Sequence, residues 1–216
     1  MKVLIMGETS GRTREAFAAR GHHAMSCDLL ASEDGGHHYQ GDVRDVLDDY
    51  WDLMIAHPDC TYLTSSAAWA LKDGPYHQKI KSGTLVGAPR RIARLEALDF
   101  VRLLMNSPIE KIAIENPPGA IGTQIRPASQ FINPYDFGDD ASKKTGFWLK
   151  NLPLLKPTKI IEGRLAEWPK GSGNFVRRWS NQTDSGQNNL SPGPERWKER
   201  ARTYQGIADA MATQWG

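Results

Sequence analysis

Short apolar runs, each stopped by a turn containing Gly or Pro, recur along this chain at Lys2–Met6, at residues 52–56 and at residues 111–115. Runs this brief, without polar alternation, read as strands buried on both faces, the habit of parallel sheets. Helical patterns separate them. Residues 12–20 form one, closed by Gly21 where a helix end needs it. Residues 89–106 form the clearest, with Ile92, Leu95, Leu98, Val101, Leu104 and Met105 at three- and four-residue spacing and Pro89 acceptable in the first turn. A second strand, His23 to Cys27, ends on Asp28, and residues 37–43 suggest a third edge element. Strand and helix alternating through short links predict an α/β fold with a mostly parallel, doubly wound sheet.

The 216 residues, 39% hydrophobic, suffice for one core, so a single domain over 1–216 is expected. No window approaches the ~18 apolar residues of a membrane span, which predicts no membrane partner. Two cysteines, Cys27 and Cys60, lack metal-ligand spacing and favour a reducing compartment. The pairs His22-His23 and His37-His38 suggest no metal either, because neighbours on a strand face opposite ways. Residues 71–87 read as a mobile loop, residues 158–191 as an irregular insertion, and residues 195–215 as helical with a break near Tyr204-Gln205-Gly206. The net charge of +2 is uneven: residues 141–204 hold thirteen Lys and Arg against five Asp and Glu. Lys143, Lys144, Arg177 and Arg178, interleaved with tryptophans, are candidate nucleic-acid contacts. A solvated basic surface is the alternative.

Open α/β sheets bind ligands at the carboxyl ends of their strands. There the first turn offers Gly7 and Gly11, and the second strand offers Asp28, a set suited to adenosine: backbone approaches closely and a carboxylate takes ribose hydroxyls. Glu8 in that turn repels a pyrophosphate but tolerates a cationic sulfonium, which favours S-adenosylmethionine over a dinucleotide. Asp42 and Val43 could accept from and pack on an adenine, or Asp42 could simply cap a helix.

Cys60 follows His57-Pro58-Asp59 in a rigid turn past one strand, and Glu115-Asn116-Pro117-Pro118 ends another. A thiolate can attack an electron-poor ring carbon while a protonated carboxylic acid bonds the ring nitrogen. Cytosine C5 alkylation needs that division of labour: sulfur added at C6 makes C5 nucleophilic. His57 reads as a neighbour of this site or as a core histidine. Asp59, an anion beside the thiol, should raise its pKa.

These segments together resemble the DNA cytosine-5 methyltransferases, in particular their short phage-type relatives. Met6-Gly7-Glu8-Thr9-Ser10-Gly11 is similar to the cofactor loop, Ser26-Cys27-Asp28 to the ribose acid, Gly41-Asp42-Val43 to the adenine contact, His57-Pro58-Asp59-Cys60 to the nucleophile loop and Ile114-Glu115-Asn116-Pro117 to the Glu-Asn motif. Residues 142–150 resemble the relatives' Lys-Thr…Trp-Leu segment, and residues 202–208 their closing motif. The departures are Asp59, where the family carries a second proline, and a missing Arg-rich motif, for which Lys143 and Lys144 are the nearest substitutes.

The resemblance implies a Rossmann-like methyltransferase fold using S-adenosylmethionine, bound by Gly7, Glu8, Ser10, Gly11, Asp28, Asp42, Val43 and His57. Cys60 would be the nucleophile, Glu115 the ring-nitrogen partner and Asn116 a brace for the loop. The acceptor would be duplex or single-stranded DNA, in the cytoplasm of a bacterial host if the chain is phage-encoded. Only residues 158–191 could replace the large recognition domain of full-length members. Three rivals stand beside this reading: an amino-methyltransferase suggested by Asn116-Pro117-Pro118 but lacking the stacking aromatic at Gly119, a weakened relative that binds nucleic acid or a partner, and an enzyme acting on a non-duplex acceptor.

Overall fold

β1 (Lys2–Met6) leads through a turn containing two left-handed glycines, Gly7 and Gly11, into α1 (Arg12–Ala18). Gly21, at φ 81°, reverses the chain into β2 (His23–Asp28). There follow β3 (His38–Gln40), β4 (Leu53–Ala56), α2 (Gly87–Met105), β5 (Lys111–Asn116), α3 (Ala120–Gln124), β6 (Gln130–Ile132) and β7 (Thr145–Lys150). A hairpin of β8 (Arg164–Glu167) and β9 (Phe175–Arg178) precedes α4 (Arg196–Ala201) and α5 (Gln205–Trp215). This computed structural model describes residues 1–77, 79–193 and 195–216; residue 78, inside the expected loop over 71–87, lies outside the described residues.

Seven strands form one sheet in the order β3-β2-β1-β4-β5-β7-β6. Neighbours from β3 to β5 are parallel, and β7 alone runs against both its neighbours. That order and that single reversal are the Rossmann-like methyltransferase fold. The strand order changes direction between β1 and β4, so the switch-point crevice opens beside Gly7 and His57.

Alternation assigns the two faces. Val3, Ile5, Leu53, Ile55 and Ala113 pack against Phe17, Ile207, Met211 and Trp215 of α1 and α5. Leu4, Met54, Ala56, Ile112 and Ile114 pack against Leu98, Val101 and Leu104 of α2. Each such side chain contributes about 1.5–3 kcal/mol by leaving water.

Three sequence expectations change. The edge element over 37–43 is only β3, followed by a 3-10 turn at Val43–Asp45. The apolar stripe of α2 is half used, for Ile92 and Leu95 are 58% and 57% exposed. On that half the inward positions are taken by arginines: Arg90 donates to the carbonyls of Leu85 and Thr61, and Arg94 to that of Tyr62. The irregular stretch over 158–191 contains the β8–β9 hairpin, anchored by Trp179 stacked on Tyr135 at 4.1 Å and by reciprocal bonds between Asn181 and Ser142. Among the described residues no helix is long and apolar enough to cross a membrane.

Candidate active site

The loop after β4 is fixed from several sides. His57 N–H continues the ladder to Met6 O at 2.9 Å, and Pro58 then turns the chain. Asp59 accepts from Thr61 N–H and Oγ1–H at 2.9 and 2.7 Å, while Cys60 O receives Leu63 and Thr64 N–H. Arg90 and Arg94 hold the carbonyls of Thr61 and Tyr62 from α2. From β5, Asn116 Nδ2 donates to Pro58 O at 2.7 Å, with its side chain 1% exposed on the α2 face. Cys60 stands exposed at the tip of this braced turn.

Glu115 precedes Asn116, so it faces the opposite way, toward α5. The parallel register Ala56↔Ile114 brings position 57 beside position 115 one step further along, and His57 Nδ1 meets Glu115 Oε2 at 3.1 Å. Lys143, Thr145 and Tyr204 share a small cavity with this pair. Cys60 follows the end of β4, Glu115 closes the parallel strand β5, and Lys143 just precedes the antiparallel strand β7, so the three positions lie at the same rim of the sheet, with Cys60 outside the cavity lining.

Although the residue as a whole is exposed, the protein around its sulfur shields it in part from water; that shielding and the anions Asp59 and Glu115 push the Cys60 thiol up, with Lys143 opposing them. Burial would also lift the Glu115 carboxyl. The His57 hydrogen bond, the Lys143 and His57 charges and the Thr145 hydroxyl outweigh that and hold it below its ordinary range. The resting pair is therefore a thiol and a carboxylate. The sequence expectation is a protonated Glu115; the His57 hydrogen bond and the Lys143 ammonium favour its ionised form.

The cofactor residues divide. Gly7, at φ 77°, passes so close to β4 that a side chain would strike the His57 carbonyl. Ser10 is half-buried in the same turn. Asp28 closes β2 at the rim, where Oδ1 accepts Leu30 N–H at 2.9 Å and Oδ2 has no hydrogen bond among the described residues. The other candidates are engaged within the chain. Glu8 is 4% exposed, and both its oxygens bond α1, at Thr13 N (2.8 Å) and Arg14 N (3.1 Å), so it caps that helix. Gly11 makes room for the ion pair of buried Arg14 with half-buried Asp34. Asp42 caps the turn at 43–45 and pairs with Arg44 at 2.8 Å, while Val43 lies in the core. His57 is engaged with Glu115.

Of the four basic candidates only Lys143 joins the site. Lys144 lies over the Phe131 ring at 4.7 Å, Arg178 bonds the carbonyls of Asp184 and Arg177, and Arg177 pairs with Glu162 at 3.0 Å. Each of those three has a partner within the chain. Among the described residues no group of three or more His, Cys, Asp or Glu could hold a metal ion.

Several participants lie in segments that the sequence singles out without giving them a role of their own. Thr9 binds Glu33 at 2.8 Å, Glu33 pairs with Arg202, and Arg12 donates to Thr203 O at 3.0 Å, so residues 202–204 close on the first turn. Thr145 and Tyr204 complete the cavity. The spacing of Arg90 and Arg94, i and i+4 within an apolar stripe, was the one available signal for the loop anchors.

No protein-family model matches the chain, and no curated protein matches it in sequence. Among solved structures, S. pombe Dnmt2 methyltransferase is 17% identical over 71% of this chain and 50% of its own, with a TM-score of 0.37. A Spodoptera frugiperda DNMT2 mutant is 15% identical over 84% of this chain and 58% of its own, with a TM-score of 0.39. The chain thus spans little more than half the length of these structures.

Proposed function

We propose that this chain transfers a methyl group from S-adenosylmethionine to C5 of a cytosine in DNA, with Cys60 as the nucleophile. The observation that carries the reading is that the Cys60 loop, braced by Asn116, and the Glu115–Lys143 cavity lie at one carboxyl rim of the sheet, the rim on which β2 ends at Asp28. For the donor, the fit rests on Asp28, whose free oxygen suits ribose hydroxyls, and on the Gly7 turn; Glu8, Gly11, Asp42 and Val43 are occupied within the chain. When bound, S-adenosylmethionine supplies an electrophilic methyl on a sulfonium.

The residues perform the remaining steps. Cys60 Sγ bonds to C6, the C5=C6 electrons shift toward N3, and N3 takes up the proton the thiol gives up. Glu115, an ionised neighbour of both, can relay that proton. Its carboxylate also accepts from the exocyclic amine of cytosine, whereas the carbonyl of uracil at that position would meet it acceptor to acceptor. After transfer the C5 proton leaves to solvent, the electrons restore C5=C6, Cys60 Sγ departs as thiolate, and the proton held on N3 returns to that thiolate, leaving neutral 5-methylcytosine and the resting thiol. A base inside a duplex must leave the stack to reach the sulfur.

The hairpin supports a nucleic-acid partner. Leu165 and Phe175, each 64% exposed, share one face of β8–β9 with Arg177, and the hairpin root is tied to Ser142 beside Lys143. An exposed aromatic suits a stacked base, although Arg177 on that face is paired with Glu162 and Glu167 stands opposite Phe175.

One observation favours a second reading, a weakened relative that only binds: the Asp59 charge opposes thiolate formation at Cys60. Mass spectrometry of DNA from expressing cells, with Cys60→Ala as control, separates the two. 5-Methylcytosine with the parent chain alone supports transfer, and none with either chain, despite retained DNA binding, supports the binding module. Purified duplex, single-stranded DNA and cytidine nucleotide then identify the acceptor.

A further inference from the structure

His57 is held more firmly than a bystander needs. Its backbone bonds β1 at Met6, its carbonyl abuts Gly7, and Pro58 follows, so the ring leaves the main chain in one direction. A carboxylate has no proton to give, so Nδ1 must carry the hydrogen shared with Glu115 Oε2. Nε2 is buried without a partner. Beside it lies the cavity it shares with Glu115, Lys143, Thr145 and Tyr204, about 10 Å³, room for roughly one water.

Among the described residues Nε2 has no protein partner, so the ring's place is set by its main chain and by a single side-chain bond. The ring's one protein bond goes to the Glu115 carboxylate. We propose that His57 is a positioning residue for Glu115, fixing its carboxylate as an acceptor toward the amine edge of the nucleobase. This rests on the cytosine reading for its purpose but not for its geometry. The other titratable groups facing Glu115 are Lys143 ahead of β7, Cys60 in the nucleophile loop and Tyr204 at the start of α5. Thr145 adds a hydroxyl.

Two substitutions of similar polarity separate positioning from filling. In His57→Asn the amide nitrogen falls where Nδ1 stood and still donates to Glu115; in His57→Gln it falls where Nε2 stood and does not. Carbon-13 NMR of the free protein, with the Glu115 side-chain carboxyl assigned by its loss in Glu115→Gln, follows the carboxyl against pH. Its midpoint should stay near the parent's in H57N and rise in H57Q. Methylation of a cytosine oligonucleotide should fall about 10- to 100-fold in kcat for H57Q with KM little changed, and recover in H57N. Equal midpoints in all three proteins, or equal loss of kcat in both variants, would overturn the assignment. A parent with no turnover would sink the cytosine reading alone, since the carboxyl titration still decides the role of His57.

Discussion

Asn116→Asp tests whether the nucleophile loop is braced from β5. Asn116 Nδ2 donates to Pro58 O at 2.7 Å, its Oδ1 is buried without a partner, and the residue is 1% exposed. Replacing the amide with a carboxylate sets a buried anion against a carbonyl oxygen. Loss of the hydrogen bond costs about 1–3 kcal/mol, and an unpaired buried charge brings the total to about 3–5 kcal/mol at neutral pH. Asn116→Ala should cost less, about 1–2 kcal/mol, because it strands the Pro58 carbonyl but also removes the unpartnered Oδ1. A protonated Asp could again donate to Pro58 O. Burial raises the folded-state pKa of such a carboxyl above its unfolded value near 3.9, so the variant should approach the parent below about pH 4 and lose stability as pH rises beyond it. Urea unfolding followed by tryptophan fluorescence at pH 4 and pH 7.5 reads both. With a slope of about 3 kcal/mol/M, the neutral midpoint should drop by roughly 1 M or more. An unchanged midpoint at pH 7.5, or a deficit as large at pH 4, would refute the bracing.

Cys60→Ser should abolish methylation while leaving DNA binding within about twofold by fluorescence anisotropy. Glu8→Ala should lower stability by about 1–2 kcal/mol in the same urea assay, the cost of a lost helix cap, with donor affinity by calorimetry little altered. Because the Glu115 carboxyl sits low, its contribution to stability is present above the unfolded value near 4.3 and is lost as pH falls through the folded one; Glu115→Gln should therefore flatten the acid limb of the stability profile. The raised Cys60 thiol predicts that alkylation by iodoacetamide accelerates only above the usual cysteine range, and Asp59→Asn should move that onset to lower pH.

The sheet was legible because Lys2–Met6, Leu53–Ala56 and Lys111–Asn116 are buried on both faces and carry no competing period. Their ends were legible too, since Pro58 and Pro117 forbid continuation. The cofactor rim was read less well. Glu8, Gly11 and Asp42 are residue types that serve ligands and helix ends equally, and only coordinates reveal that Thr13, Asp34 and Arg44 already occupy them. The hairpin at 164–178 escaped because its strands are four residues long and expose one face to water. The partnership of His57 with Glu115 depends on a register across 58 positions, which no local pattern encodes.

A thiol held up and a carboxylate held down look like the wrong way round for a nucleophile and its acid. They are consistent if one proton serves both. Addition of a neutral thiol across C6 and N3 is itself neutral overall, so a resting thiol beside a resting carboxylate already contains the proton that N3 must receive. On the proposed cytosine reading, Asp59 would act as a brake: it would keep Cys60 protonated, and so resistant to stray alkylation and oxidation, until a cytosine offered N3 as the acceptor. Asp59→Asn separates a brake from decay. A brake predicts that the variant is alkylated faster at neutral pH while its methylation rate changes little; decay predicts that methylation rises with alkylation, because the anion was only ever an obstacle.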